Sequence, residues 1–321
     1  MEIYSLDKQN LQSVKLFPFK REKEIQSIVE NNVDELFGIE FVSTEFTIGE
    51  FRIDSLCYNR ESNSFVIIEY KKGSSYSVID QGYSYMSKML NNKSDFILEF
   101  NERKNESLKR NQVDWSQSKV IFVAPSFNAY QKNSVNFNDV PFELWEIQRF
   151  DNKTIALNQH VSQSQESISK ISSNGGNKVI REVAKEVKVY SKEDLISHSS
   201  DDIRDIWSII EDRLLSSDFA NTRFKYTRQY IRFSKNNNAA IVYFYFQKFK
   251  LKIQISGGTI YPDGKPSKQF VELDDVKKRT TRKESLWSTG AKMIEFEIII
   301  DKNENDIDYL ISLMKQRYLA V

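Results

Sequence analysis

The sequence predicts an α/β protein of the α+β kind, built as two domains, and three patterns predict it. Residues 51–58 and 64–71 are rich in β-branched and aromatic side chains. They flank the turn-forming Asn59-Arg60-Glu61-Ser62-Asn63, which gives a hairpin, and helical periodicity follows over 77–90. Residues 160–177 are dominated by Ser, Gln, Asn and Gly, end in Ser172-Ser173-Asn174-Gly175-Gly176-Asn177, and lack the apolar content of a core, which marks a linker. A fresh series of strand and helix patterns follows, and 321 residues suffice for two cores. The expected division is 1–158, a polar linker at 159–190, and an accessory domain at 191–321.

In chain order, Ile25, Ile28, Val29, Val33 and Leu36 recur at helical spacing and predict one amphipathic helix over 20–37. Projected at about 100° per residue, Glu22 falls near its apolar face and Glu24 well off it. Residues 41–47 alternate as a first strand, 119–124 form a buried-strand run ended by Pro125, and 141–150 form another strand. Phe96, Ile97 and Phe100 give 95–110 a helical spacing. Residues 179–190 alternate charge and valine, as a short helix or an extended tether would. Beyond them come a helix at 191–215 with Ile203, Ile206, Trp207 and Ile210, and two long strands at 224–233 and 240–255 joined at Lys235-Asn236-Asn237-Asn238. A strand at 293–300 and a closing helix at 307–318 complete a smaller α+β module.

The first hairpin carries the chemistry. If its turn centres on Glu61 and Ser62, Asp54 lies across from Glu69, while Glu69 and Lys71 share a strand face and Ile68 and Tyr70 face the other way. Two carboxylates directly opposite repel by roughly 0.2 to 1 kcal/mol unless a positive group lies between them. A hard cation such as Mg²⁺, which takes one or two carboxylates plus water and substrate phosphate, suits Asp54 and Glu69 as ligands. Lys71 could then orient or deprotonate an attacking water, or neutralise charge on a phosphorane-like transition state. Acid-x-Lys also occurs at Asp151/Lys153, Glu186/Lys188 and Asp275/Lys277, but without a comparable upstream Asp on a paired strand. Gln81 and Tyr85 follow one turn apart on the next helix.

The order of helix Glu, hairpin Asp, Glu-x-Lys and Gln-x-x-x-Tyr resembles the PD-(D/E)XK nuclease superfamily, in its RecB-like and NucS-like branches, over roughly the first half of the chain. The resemblance implies a restriction-endonuclease-like mixed sheet flanked by helices. It also implies Mg²⁺ or Mn²⁺ as cofactor on Asp54 and Glu69, Lys71 assisting the water, Glu22 supporting the metal site, and Gln81 and Tyr85 lining the substrate side. Ile53 stands where the family name places a proline.

Composition narrows the classes. Cys57 is the sole cysteine and His160 and His198 the sole histidines, which excludes an internal disulfide framework and disfavours serine-type triads and multi-histidine zinc sites. The longest apolar run, 239–246, is too short to span a bilayer, and Met1-Glu2-Ile3-Tyr4-Ser5 lacks the marks of a signal peptide, so a cytoplasmic location without membrane contact is expected. Lys plus Arg number 46 against 45 Asp plus Glu, a net charge of +1, so any nucleic-acid affinity must come from local patches.

One such patch is legible. Residues 219–261 contain no acid, while Arg223, Lys225, Arg228, Arg232, Lys235, Lys248, Lys250 and Lys252 alternate with Tyr226, Tyr230, Phe244 and Phe246. Cations among aromatics suit phosphate contacts and base stacking. The same alternation also fits aromatics in a core beneath a solvated cationic face. A second cluster, Lys277-Lys278-Arg279 with Arg282-Lys283, reads as loop. Residues 201–320 resemble a small uncharacterised domain found at the carboxy end of nuclease-like and restriction-like defence proteins, which brings no catalytic residues. The expected function is a metal-dependent endonuclease or exonuclease acting on DNA in repair or defence, with a homodimer or a defence-system protein as further partners. The alternative is a non-cleaving nucleic-acid or protein-binding module on the same fold.

Overall fold

Alternation of apolar side chains along six strands, with helices supplying an apolar stripe to each side, organises the N-terminal half. The computed structural model describes residues 3–73, 77–162, 164, 166–168, 178–235, 238–286 and 290–321. The chain divides into two units, Met1–Val189 and Tyr190–Val321.

The first unit opens with a hairpin, β1 (Ile3–Asp7) and β2 (Asn10–Val14), followed by α1 (Glu22–Glu30) and α2 (Val33–Phe37). Next come β3 (Glu40–Ile48), β4 (Phe51–Asn59), β5 (Ser64–Tyr70), α3 (Val78–Asn91) and α4 (Lys93–Lys104). The unit continues with β6 (Lys119–Ala124), α5 (Ala129–Ser134), β7 (Phe142–Arg149), β8 (Ile155–His160) and α6 (Lys178–Glu186). Strands β3 to β8 form one mixed sheet in sequence order, with β5–β6 and β6–β7 parallel and the other pairs antiparallel. Cys57, Val66, Ile68, Tyr70, Ile121 and Val123 pack on one face with Ile25 and Val29 of α1 and Phe37 of α2. Leu56, Tyr58, Phe65, Ile67 and Phe122 pack on the other with Met86 and Met89 of α3 and Phe96 and Phe100 of α4. Strand β5, buried along its whole length, is the spine between the two cores.

Three expectations for this half are corrected. The single helix at 20–37 is broken into α1 and α2, because the side-chain amides of Asn31 and Asn32 donate to the carbonyls of Ser27 and Ile28 and close α1. The helix expected at 95–110 stops at Lys104, where Asn105 adopts the left-handed conformation (φ 53°). The linker expected at 159–190 contributes in part to the core: Ile168, Val183 and Val187 are buried there, and α6 packs against α3. Residues 172–177 lie outside the described residues.

The second unit contains α7 (Lys192–Ile196), α8 (Asp201–Leu214), β9 (Thr222–Tyr226), β10 (Ile231–Lys235), β11 (Ala240–Phe246) and β12 (Leu251–Ile260). It ends with β13 (Thr281–Leu286), β14 (Lys292–Ile300) and α9 (Ile307–Ala320). Its antiparallel sheet runs β13-β14-β12-β11-β10-β9, and the inner face packs on Trp207 and Ile210 of α8 and Leu310 and Leu313 of α9. The expected helix at 191–215 is split into α7 and α8, with Ser199 Oγ tied to the Gln247 carbonyl at 3.0 Å. Each long strand expected here is a hairpin. Thr227 Oγ1 accepts the Tyr230 N–H at 3.1 Å and folds 224–233 back, and the Gln247 N–H bonds the Lys250 carbonyl at 3.0 Å and folds 240–255. Asn236 and Asn237 lie outside the described residues.

Candidate active site

The β4–β5 hairpin is fixed at its turn by Asn59, whose Oδ1 accepts the N–H groups of Glu61 at 2.9 Å and Ser62 at 3.1 Å. Pairing runs from Asn59↔Ser64 to Ser55↔Ile68, and the same register brings Asp54 next in line with Glu69. The ladder ends one pair short of them. Asp54 reaches across instead, its Oδ2 accepting the Tyr70 N–H at 3.1 Å.

Glu69 is the hub. Its Oε1 accepts from Lys71 Nζ at 2.6 Å and Gln81 Nε2 at 2.9 Å, and its Oε2 accepts from Tyr85 OH at 2.6 Å. Lys71 is held at the sheet end by its N–H to the Val123 carbonyl. Gln81 and Tyr85 occupy one stripe of α3, which begins at the Ser77 cap. Gly82 lets that helix lie close to β7, since a Cβ there would stand 2.6 Å from Phe142 Cζ. The structure thus gathers Glu69, Lys71, Gln81 and Tyr85 into one hydrogen-bonded group beside Asp54.

The electrostatics are those of a site short of positive charge. Burial, then the Asp54 charge, pushes the Glu69 carboxyl above its ordinary range against the opposing effects of Lys71 and Tyr85. Burial likewise raises Asp54, with Glu22 adding to it and the Tyr70 N–H, Lys71 and Arg52 acting the other way. Burial and the neighbouring Glu69 keep the Tyr85 phenol firmly protonated, so it serves as a donor.

Glu22 departs from expectation. It is exposed, and its Oε1 accepts the Lys72 N–H at 2.9 Å rather than turning inward as a third acid. Among the described residues, no three or more His, Cys, Asp or Glu side chains come together as a metal cage. The carboxylates of Asp54 and Glu69 are two neighbouring oxygen donors of the kind that could hold a hard cation together with water and substrate, the habit of Mg²⁺. Mutual repulsion and dehydration of the two acids are what such a cation would relieve.

Beneath the site lies a polar network that the apolar periodicity of α1 conceals. Gln26, 6% exposed, brings the two N–H groups of Nε2 within reach of three acceptors, Glu30 Oε1 at 2.8 Å, Thr44 Oγ1 at 3.0 Å and the Asp54 carbonyl at 3.1 Å, which share them. Ser55 Oγ donates to Glu30 Oε1 at 2.6 Å and lies 3.1 Å from Tyr70 OH. The one sequence signal for these residues is an amide set between Ile25 and Val29 on a buried stripe.

In the second unit Arg223 and Lys225 of β9, Arg232 of β10 and Lys252 of β12 share the outer sheet face, with Arg232 paired to Lys225 and Tyr243. Lys252 stands 4.1 Å over the Tyr245 ring. Arg228 lies in the β9–β10 turn, and Lys248 and Lys250 are exposed at the β11–β12 turn. Phe244 and Phe246, for which the alternation left both stacking and core open, are core residues against Trp207 at 4.8 and 5.2 Å. The acid-free stretch is not acid-free in space, for β14 places Glu297 3.9 Å from Lys252. Of the second cluster, Lys277 pairs with Asp306, Arg279 with Glu304, and Arg282 with Glu272 and Glu284, and Arg282 and Lys283 lie on β13 rather than in a loop. No helix among the described residues is long and apolar enough to cross a membrane.

Fold and site together define a two-unit α+β protein with paired acids and a lysine at the end of a central hairpin. The chain is 38% identical over 322 residues to an uncharacterized protein of Haemophilus influenzae, across 98% of this chain and 99% of that one, and belongs to the same family. No family model matches it. Among solved structures, the EndoMS–dsDNA2 complex aligns with a TM-score of 0.24 and 16% identity over 41% of this chain and 44% of that one. A repair endonuclease from Pyrococcus abyssi aligns with a TM-score of 0.22 and 14% identity over 42% and 60% of the two chains. Pyrococcus furiosus SfsA in complex with Ca²⁺ gives 0.24 and 12% over 49% and 74%. The alignments span less than two thirds of the first two chains. These likenesses are slight, and the site's chemistry stands on its own geometry.

Proposed function

We propose that this protein is a metal-dependent nuclease of the PD-(D/E)XK kind, hydrolysing phosphodiester bonds of DNA in repair or defence. The observation that carries the reading is Glu69, dehydrated and held by Lys71, Gln81 and Tyr85, with the second raised carboxylate, Asp54, beside it. Asp54 and Glu69 would hold Mg²⁺ or Mn²⁺, which when bound supplies Lewis-acid polarisation of the phosphoryl oxygen and a more acidic water. The remaining work falls to the chain. Lys71, with its ammonium at the Glu69 carboxylate, orients the attacking water and neutralises charge that builds on the phosphoryl oxygens. Gln81 and the buried Tyr85 hold Glu69 in one orientation. The basic outer face and turns of the second unit, with Arg223, Lys225, Arg228, Arg232, Lys248, Lys250 and Lys252, would add phosphate contacts.

The test is cleavage of labelled single-stranded, double-stranded and branched DNA, and of RNA, with Mg²⁺ or Mn²⁺. Wild-type cleavage that EDTA stops, reduced by about 100-fold or more in Asp54→Ala and Glu69→Gln, is the expected result. Equal cleavage by all three proteins would remove the site assignment.

A further inference from the structure

Asp54 occupies a break in the sheet. The β3–β4 register sets it opposite Glu45, yet pairing passes from Thr44↔Ser55 directly to Phe46↔Ile53, and Glu45 takes a left-handed conformation (φ 50°). On the other side the β4–β5 ladder stops at Ser55↔Ile68. Asp54 is therefore a partner in neither ladder, although its position must be fixed if it is to act with Glu69. Two hydrogen bonds take over. The Tyr70 N–H holds the carboxylate, and the buried Gln26 amide holds the backbone carbonyl. Gln26 is itself aimed by Glu30, whose Oε1 also accepts from Ser55 Oγ, and with that hydroxyl proton committed, Tyr70 OH donates to Ser55 Oγ. Tyr70 thus closes the loop, touching Asp54 through its N–H and the network through its hydroxyl.

We infer that Gln26 and Glu30 are positioning residues that set Asp54 for metal binding. This rests on the nuclease reading above. Buried partners that orient a ligand in this way are commonly worth about 10- to 100-fold in metal affinity or activity. A substitution here should therefore act first on the metal and only through it on the rate.

The experiment measures Mn²⁺ binding to the full chain, by the electron paramagnetic resonance signal of free Mn²⁺, alongside the metal dependence of DNA cleavage. Gln26→Met keeps the volume and removes both donors, and Glu30→Ala, at a half-buried position, leaves the amide in place but unaimed. Both are expected to weaken Mn²⁺ binding by about 10-fold, with the cleavage rate returning to within a few-fold of wild type at saturating Mn²⁺. Affinity unchanged in both variants while Asp54→Ala abolishes binding would overturn this inference and leave the nuclease reading standing. A wild-type protein that binds no Mn²⁺ would overturn both. A rate that stays low at saturating metal, with affinity intact, would also reject the positioning role.

Discussion

At the scale of the residue, Asp54 and Glu69 are held in a state that does not favour the fold. Both carboxyls are raised by burial, so each is costly when ionised without a cation. A carboxyl whose folded pKa lies above its unfolded value contributes most to stability below the unfolded value and loses that contribution as pH rises through the folded one. Asp54→Asn keeps an oxygen for the Tyr70 N–H and removes the charge. It is expected to raise Tm at about pH 8 by about 2 to 4 °C, the shift that about 1 kcal/mol gives in a domain of about 150 to 250 residues. The gain should shrink as pH falls through the raised folded pKa of Asp54, where wild type itself takes up the proton. Thermal scans across pH check this, and a variant less stable than wild type at high pH would show that Asp54 supports the fold. By the same reasoning, metal binding should fall away on acidification at a pH above the ordinary carboxylate range.

At the scale of the element, the β4–β5 hairpin and α3 are what the sequence states most clearly. Asn59 makes the turn, alternation sets the faces, and Gln81 and Tyr85 fall where one helical turn puts them. What is not legible is where a smooth pattern is interrupted. The breaks at Asn31, Thr227 and Gln247 lie inside continuous apolar or aromatic alternation, and they are made by side-chain and backbone hydrogen bonds that periodicity does not register. The Gln26 and Glu30 network is hidden for the same reason, and a helical projection that turns Glu22 towards the apolar face does not register the Lys72 N–H that its carboxylate accepts. Gly82 tests how tightly α3 is seated. The Phe142 ring that faces it is itself packed on Tyr83, so it has little room to yield. Gly82→Ala is expected to lower the urea unfolding free energy by about 1 to 3 kcal/mol, and an unaltered midpoint would mean that α3 shifts freely.

At the scale of the whole molecule, each of the two units has its own core, and the first extends further along the chain than composition implies. Val183 and Val187 are 1% and 8% exposed in the first core. A chain ending at Val189 should therefore unfold cooperatively, and one ending at Asn177 should be weaker by about 1.5 to 3 kcal/mol for each buried valine removed. Removing 190–321 should also flatten the dependence of DNA affinity on salt by about 0.9 in log–log slope for each phosphate no longer neutralised. Equal slopes would mean that the basic face of the second unit does not grip phosphate.

In the proposed function Asp54, Glu69 and Lys71 form one hydrolytic site in which metal binding and water activation are separate tasks. Lys71→Ala divides them. Measured under single turnover with Mn²⁺ bound, the full chain carrying this substitution should retain Mn²⁺ affinity while DNA cleavage falls by about 100-fold or more. Cleavage at the wild-type rate would contradict the account.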